Sequence, residues 1–277
     1  MESRLHCKPL FSLGYVGIML PIALTIAGSD PSGGAGIQAD LKTFHQFGVY
    51  GEAAITLITV QNSQGVRNVT TLEPQLIKEQ IEAVLGDMPP LAAKTGALGN
   101  AATVSAVAEL ARTFTFPLVV DPVMISKHGA RLMTEDAGHM LLTKLLPACT
   151  LVTPNIPEAE ALSGLRIFTV SDMEKAAKKL GEAGPKAVLV KGGHLEGEPI
   201  DVLYWAGTLR RFTGTRVRSK HTHGTGCTYS AAITALLSRG ESLEIAVARS
   251  KAFVQGAIES APGFGHGFGP LNHFAAV

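Results

Sequence analysis

One run of residues, His221-Thr222-His223-Gly224-Thr225-Gly226-Cys227-Thr228-Tyr229-Ser230-Ala231-Ala232, carries types and spacing that chemistry can use. Gly224, Thr225 and Gly226 precede a stretch that suits a buried helix (Ala231, Ala232, Ile233, Ala235, Leu236, Leu237), and Gly240 suits its end. The first turn of such a helix has unpaired backbone N–H groups. Together with the helix dipole they favour an anion by roughly 0.3–1 kcal/mol at an exposed end. Glycines let the backbone come close to that anion. The functional reading is an anion cradle with Cys227 in the first helical turn; the structural reading is a glycine turn beside an inert, buried cysteine.

Further polar groups recur at the ends of apolar runs. Asn155-Ile156-Pro157-Glu158 places an amide and a carboxylate one helical turn apart. Both can face one side and meet Mg²⁺, which takes oxygen ligands and is commonly held by one or two carboxylates plus phosphate. The same spacing is also that of a helix N-cap and its capping-box partner. Lys191-Gly192-Gly193-His194 puts a cation beside a flexible turn, to meet phosphate or to snorkel to the surface. Asp121-Pro122 offers a carboxylate near Mg²⁺, or simply the start of a turn. Gly34-Ala35-Gly36-Ile37-Gln38-Ala39 fits the dinucleotide pattern G-x-G-x-x-A. The strand after it ends in Gln61 where that motif needs an acid, which argues against NAD. The loop is then expected to wrap a small ligand with Asp40 facing the same pocket, unless Asp40 only caps or solvates its helix. No phosphate-loop motif GxxxxGK[S/T] occurs.

The elements that must position these groups alternate. Strands are expected at Ile22–Ala27, Ala53–Val60, Leu91–Lys94, Pro117–Val120, Thr150–Thr153 and Ala187–Val190, with a pair at Asp201–Trp205 and Arg210–Val217. Helices are expected after the glycine loop through Phe47, then at Pro74–Leu85, Ala101–Arg112, Glu135–Leu146, from Glu158, at Ser171–Glu182, Thr228–Ser238 and Leu243–Ser260. This order predicts an α/β fold with a mostly parallel sheet and helices on both faces, where ligands bind beyond the carboxyl ends of the strands. With 277 residues, 46% hydrophobic and 17% charged, the chain can bury a large core. A net charge of +1 gives no footprint for nucleic acid. Cys7, Cys149 and Cys227 are odd in number and contain no CxxC, which favours a reducing cytoplasm over a disulfide or zinc framework. An apolar run from Leu10 to Ala27 imitates a secretory leader, but Gly14, Gly17 and Pro21 interrupt it. Residues 1–20 are expected to be an extension, with Met19 as an alternative start, and 21–277 one domain.

Taken together, Ala23–Lys42, Val60-Gln61-Asn62, Asp121–Met124, Thr153–Ala159, Lys191–His194 and His221–Thr228 resemble the ribokinase-like superfamily. Within it they are most similar to the hydroxymethylpyrimidine and phosphomethylpyrimidine kinases of thiamin biosynthesis. The resemblance runs from about Pro21 to about His273. It implies ATP-dependent phosphorylation of the pyrimidine's hydroxymethyl group, and then of that product to the diphosphate. It also implies that Gly28, Asp40, Gln61 and Val123 line the pyrimidine pocket. Asn155 and Glu158 would organise Mg²⁺ and the nucleotide phosphates, Lys191 would touch the phosphates, and Gly224, Thr225, Gly226 and Cys227 would form the anion hole. Partners would be the pyrimidine and ATP, with no nucleic acid and no membrane, and the family tendency is a homodimer.

Most ribokinase-like enzymes have a proton-accepting Asp where Cys227 stands. A helix N-terminus lowers a thiol's pKa, so Cys227 is expected to act as a thiolate that accepts or polarises the alcohol proton. The rival substrate is pyridoxal. Gln61 favours the pyrimidine, because its amide can donate to and accept from an aminopyrimidine edge. A catalytically dead binding protein is the rival of another class; the joint presence of Asn155, Glu158, Lys191 and Cys227 argues against it. Residues 124–130 are expected to form a lid over the phosphates.

Overall fold

The computed structural model describes residues 20–277; the expected extension, apart from Leu20, and the alternative start at Met19 lie outside them. The strands are β1 (Ile22–Ser29), β2 (Tyr50–Asn62), β3 (Gly65–Thr71), β4 (Ala92–Thr95), β5 (Leu118–Val120), β6 (Leu151–Val152), β7 (Ala187–Val190), β8 (Asp201–Trp205) and β9 (Thr208–Phe212). The helices are α1 (Gly36–Gln46), α2 (Pro74–Asp87), α3 (Ala101–Ala111), α4 (Glu135–Met140), α5 (Ile156–Ser163), α6 (Val170–Gly181), α7 (Thr225–Ser238) and α8 (Leu243–Glu259).

All nine strands join one sheet in the order β3-β2-β1-β4-β5-β6-β7-β8-β9. Every pair from β2 through β7 is parallel; β3, β8 and β9 add antiparallel edges. Parallel strands are covered on both faces and so read as continuous apolar runs, as in the fully buried Leu118–Val120 and Ala187–Val190. Helices α1, α7 and α8 cover one face, packing Phe44, Ile233 and Phe253 against Val119 and Leu189. Helices α2 to α6 cover the other, packing Ile77, Val104, Leu162 and Met173 against Leu24, Val120 and Val188. Strand order reverses between β1 and β4, which is where a doubly wound sheet opens a crevice for a ligand. The expected fold class is therefore observed.

Element boundaries differ where local chemistry is quiet. Strand β3 was not expected: it is an edge strand whose residues are half-buried or exposed, so it carries no apolar run. The helix expected over Glu135–Leu146 ends at Met140, widens into a π turn at Leu141–Leu145 and tightens into a 3-10 turn at Leu146–Ala148. Pro147 has no N–H with which to continue an α ladder. Helix α7 starts at Thr225 rather than Thr228, because Gly224 at its N-cap adopts φ +81° and turns the chain directly into the helix.

Candidate active site

The strand tips open onto a cavity of about 760 Å³. Gly28, Gln61, Asp121, Val123, Asn155, Glu158, Lys191, Gly224, Thr225, Gly226 and Cys227 all line it, although they come from opposite ends of the chain. Asp40 is the exception and requires a correction. It is fully buried beneath the cavity, accepts from Thr25 Oγ1 at 2.7 Å and pairs with the equally buried Lys94 at 2.7 Å. Asp40 cannot touch a substrate there; it neutralises a lysine that a short apolar strand carries into the core.

Helix α7 aims its N-terminus into the cavity. A side chain on Gly226 would come 3.4 Å from Lys191 Nζ and 3.6 Å from Asp121 Oδ2, so its absence keeps the cradle open beside a cation. Gly224 is fixed by steric crowding, since a Cβ there would lie 1.8 Å from the Gly34 carbonyl oxygen. That close approach ties the N-terminus of α7 to the glycine loop after β1. Lys191 is only 12% exposed and its Nζ donates to Asp121 Oδ1 at 2.9 Å, so it does not snorkel to the surface. Burial opposes the ammonium, but the charges of Asp121 and Glu158 outweigh it and raise its pKa.

Asp121 accepts from Lys191 and Thr153 on Oδ1 and from Ser230 on Oδ2. Burial works against its charge, yet Lys191 and Lys94 hold the carboxyl below the usual range. Asp121, expected near Mg²⁺, lines the cavity and is the counter-ion of Lys191. Asn155 and Glu158 form the reciprocal capping box of α5, at 2.8 and 3.0 Å, and still line the cavity. Burial, opposed by Lys191 and supported by Asp121, pushes the Glu158 carboxyl up to about 7.

Cys227 is half-buried at the cavity wall. Burial pushes its thiol up to about 12; Lys94 opposes this, and Asp40 and Asp121 add to it. Loss of solvation thus opposes the expected thiolate and outweighs the helix N-terminus. Lys94 Nζ also reaches the Cys227 carbonyl at 3.5 Å, under the first turn of α7.

Sequence reasoning missed several residues. His223 carried no expectation, and it bonds across the cavity wall, at 2.7 Å, to Asp30, a polar residue expected at a strand tip. Lys94 had a legible signal: a lysine inside an apolar strand needs a buried partner. Asp201 accepts from the Gly192 N–H at 2.9 Å, the Tyr229 hydroxyl at 3.0 Å and Lys251 Nζ at 2.7 Å, and so fixes the turn after Lys191. No local signal marks that hub, since its four members lie on different elements. Residues Met124 to Lys127 line the cavity as one arm of a small hairpin bridged at Ile125 and Arg131. The hairpin is held to the β2–β3 turn where His128 Nε2 meets the Ser63 carbonyl at 2.8 Å.

The profile of the family described as phosphomethylpyrimidine kinase matches residues 30–272. A hydroxymethylpyrimidine/phosphomethylpyrimidine kinase of Bacillus subtilis is 44% identical, over 91% of this chain and 94% of that protein. A bifunctional thiamine biosynthesis protein of Geobacter sulfurreducens is 45% identical over 92% of this chain, which spans about half of that protein's length (52%). The crystal structure of an ADP complex of Bacillus subtilis pyridoxal kinase superposes with a TM-score of 0.86 at 36% identity, over 92% of this chain and 98% of that one.

Proposed function

The chain belongs to the phosphomethylpyrimidine kinase family, and from that premise we propose that it transfers the γ-phosphoryl group of ATP to the alcohol of a hydroxymethylaminopyrimidine, and then to the resulting monophosphate, for thiamin biosynthesis. The observation that carries this reading is the meeting, in one cavity, of a glycine-lined helix N-terminus, a buried lysine and the Gln61 amide. The first two bind a transferring phosphoryl group; the third reads a heteroaromatic edge.

Phosphoryl transfer needs positioning and charge neutralisation more than covalent chemistry. In this reading the backbone N–H groups at Gly224, Thr225 and Gly226 and the Lys191 ammonium receive the charge that gathers on the γ-phosphoryl oxygens. Cys227, kept as a thiol, orients the incoming hydroxyl by hydrogen bonding, and the alcohol proton passes late to an oxygen of the transferred phosphoryl group. The monophosphate enters the second step already anionic, and an uncharged thiol does not repel it as a carboxylate would: like charges about 4 Å apart cost roughly 4 kcal/mol at an effective dielectric near 20.

No group of three or more His, Cys, Asp or Glu able to hold a metal occurs among the described residues. Mg²⁺ that arrives on nucleotide phosphates needs only one or two protein carboxylates, and Glu158, a hard oxygen donor at the cavity wall, fits that need with Asn155 beside it. Mg²⁺ held there would offset phosphate charge. Residues 21–277 act as one kinase domain in this reading, and use of ATP supports a cytoplasmic setting. No helix among the described residues is long and apolar enough to cross a membrane. A homodimer is supported by Ile58 and Val60, exposed apolar residues on β2 beside the edge strand.

The test is an assay with ATP and hydroxymethylpyrimidine that resolves mono- from diphosphate product by mass, run in parallel with pyridoxal. Successive appearance of both phosphates supports the reading. Faster turnover of pyridoxal would move the assignment to the second reading, pyridoxal kinase, which the likeness to the Bacillus subtilis enzyme favours.

A further inference from the structure

Nε2 of the His223 ring stands 2.7 Å from Asp30 Oδ2 and 3.1 Å from Gln61 Nε2. His223 is 3% exposed and Asp30 also 3%. The Asp30 carboxylate is bound by the Ser32 N–H at 2.9 Å, the Ser32 hydroxyl at 2.8 Å and the Ala35 N–H at 2.9 Å. Burial would raise its pKa, but the bonds from His223 and Ser32 overcome this and keep it below the usual range. Asp30 is thus an acceptor, and the His223 nitrogen facing it carries the hydrogen. Nδ1 of the same ring is buried with no hydrogen-bond partner, so nothing draws the hydrogen to the other side. An imidazole N–H cannot also accept from an amide NH₂. The two ends of an amide are nearly isosteric, and its neighbours decide which way it turns. Two N–H groups cannot bond each other, so the arrangement that satisfies both has the Gln61 amide turned end for end, its carbonyl sharing the His223 hydrogen with Asp30 and its NH₂ left to the cavity that Gln61 lines.

We infer that His223, held by Asp30, is a positioning residue that orients the Gln61 amide so that a donor faces the substrate ring, and that this selects a ring whose acceptor nitrogen lies next to the amino-bearing carbon, on the amino side of the hydroxymethyl group. An aminopyrimidine has a lone pair at that point; pyridoxal, whose ring nitrogen lies on the opposite side, has there a carbon bearing a hydroxyl, which projects farther and displaces the amide. His223 also directly precedes the Gly224 N-cap, so the ring that sets substrate choice is one residue from the anion cradle. This inference rests on the pyrimidine reading given above for what the donor recognises. The orientation itself rests on the hydrogen bonds alone.

The experiment has two arms. In ¹⁵N-labelled full-length protein, with the His223 signals assigned by difference against His223→Gln, the ring is expected to show a proton on Nε2. The reverse tautomer overturns the inference whatever the substrate. In the kinetic arm, His223→Leu is expected to raise KM for hydroxymethylpyrimidine roughly tenfold to hundredfold, with kcat changed only a few-fold and KM for pyridoxal nearly unmoved. His223→Gln, whose amide N–H reaches the same place, is expected to restore most of that loss. Equal loss on both alcohols, or no rescue by glutamine, reduces His223 to packing and overturns the inference. Gln61→Glu keeps the acceptor for His223 and deletes the donor to the cavity; it is expected to raise KM for the pyrimidine by a similar factor, and an unchanged KM overturns the inference even where His223→Leu fails to fold. If the wild type leaves hydroxymethylpyrimidine untouched, the substrate reading fails, and the tautomer still decides the orientation.

Discussion

Cys227 and Lys94 show how far a residue's chemistry depends on what surrounds it. Read as a cysteine at a helix N-terminus, Cys227 invites a thiolate; inside the fold, burial pushes it up to about 12. A thiol that orients rather than deprotonates gives a definite expectation. Cys227→Ala lowers kcat for alcohol phosphorylation by about tenfold to hundredfold, the cost of misplacing a nucleophile, and affects phosphorylation of the monophosphate less. Product-resolved kinetics measure both steps; a loss beyond about 10⁴-fold at the first would mark an obligatory base instead. Lys94 and Asp40 are both fully buried, and each is the other's neutralising charge. Removing one partner of such a pair typically costs about 3–5 kcal/mol, whereas replacing both is often close to neutral. Lys94→Met is therefore expected to destabilise strongly in urea, and adding Asp40→Leu to recover a large part. If Asp40→Leu fails to recover stability in the Lys94→Met background, the pair is not what the two residues are for.

At the scale of elements, the site depends on where helices begin. Gly224 and Gly226 differ by two positions and by the kind of constraint. Gly224 has φ +81° and would drive a Cβ to 1.8 Å from a backbone oxygen, so Gly224→Ala is expected to cost more than about 1–3 kcal/mol of stability, read as a lower melting temperature. A methyl on Gly226 meets the end of the flexible Lys191 side chain, at 3.4 Å. Gly226→Ala should therefore fold with nearly wild-type stability and lose about a hundredfold in kcat/KM for ATP, because the methyl occupies the cradle. Loss of stability in both variants would show that Gly226 is kept for packing alone. The motif made both glycines visible; only the φ value and the approach of Gly34 separate their roles. The capping box of Asn155 and Glu158 was equally legible, and at one spacing it satisfies both the cap and the cavity wall.

Across the whole molecule, pH acts through groups that no site uses. Glu52 on β2 is 5% exposed, and neither carboxylate oxygen has a partner. Burial, and secondarily Asp87, raise its pKa to about 7 from the ordinary value of 4.5. A carboxyl raised on folding adds stability that is fully present below about 4.5 and is lost as pH rises through about 7. Glu52→Gln is accordingly expected to raise the melting temperature at pH 8 by about 3 °C or more and to change it little at pH 5; equal shifts at both values would refute the assignment. Such a group is invisible in sequence, because an alternating strand places a glutamate outside as readily as inside. What the sequence determined by itself was local: apolar runs alternating with amphipathic ones, glycines before a helix, polar residues at strand tips, and hence the sheet and the class of ligand. Tertiary structure decided which of those polar groups meet. Asp40 finds Lys94 54 residues away and withdraws from the cavity, while Asp30 and His223, 193 residues apart, close its wall. The reason is physical: exposure, protonation and hydrogen-bond direction belong to a residue's surroundings in space, and those surroundings come from chain segments that local spacing does not relate.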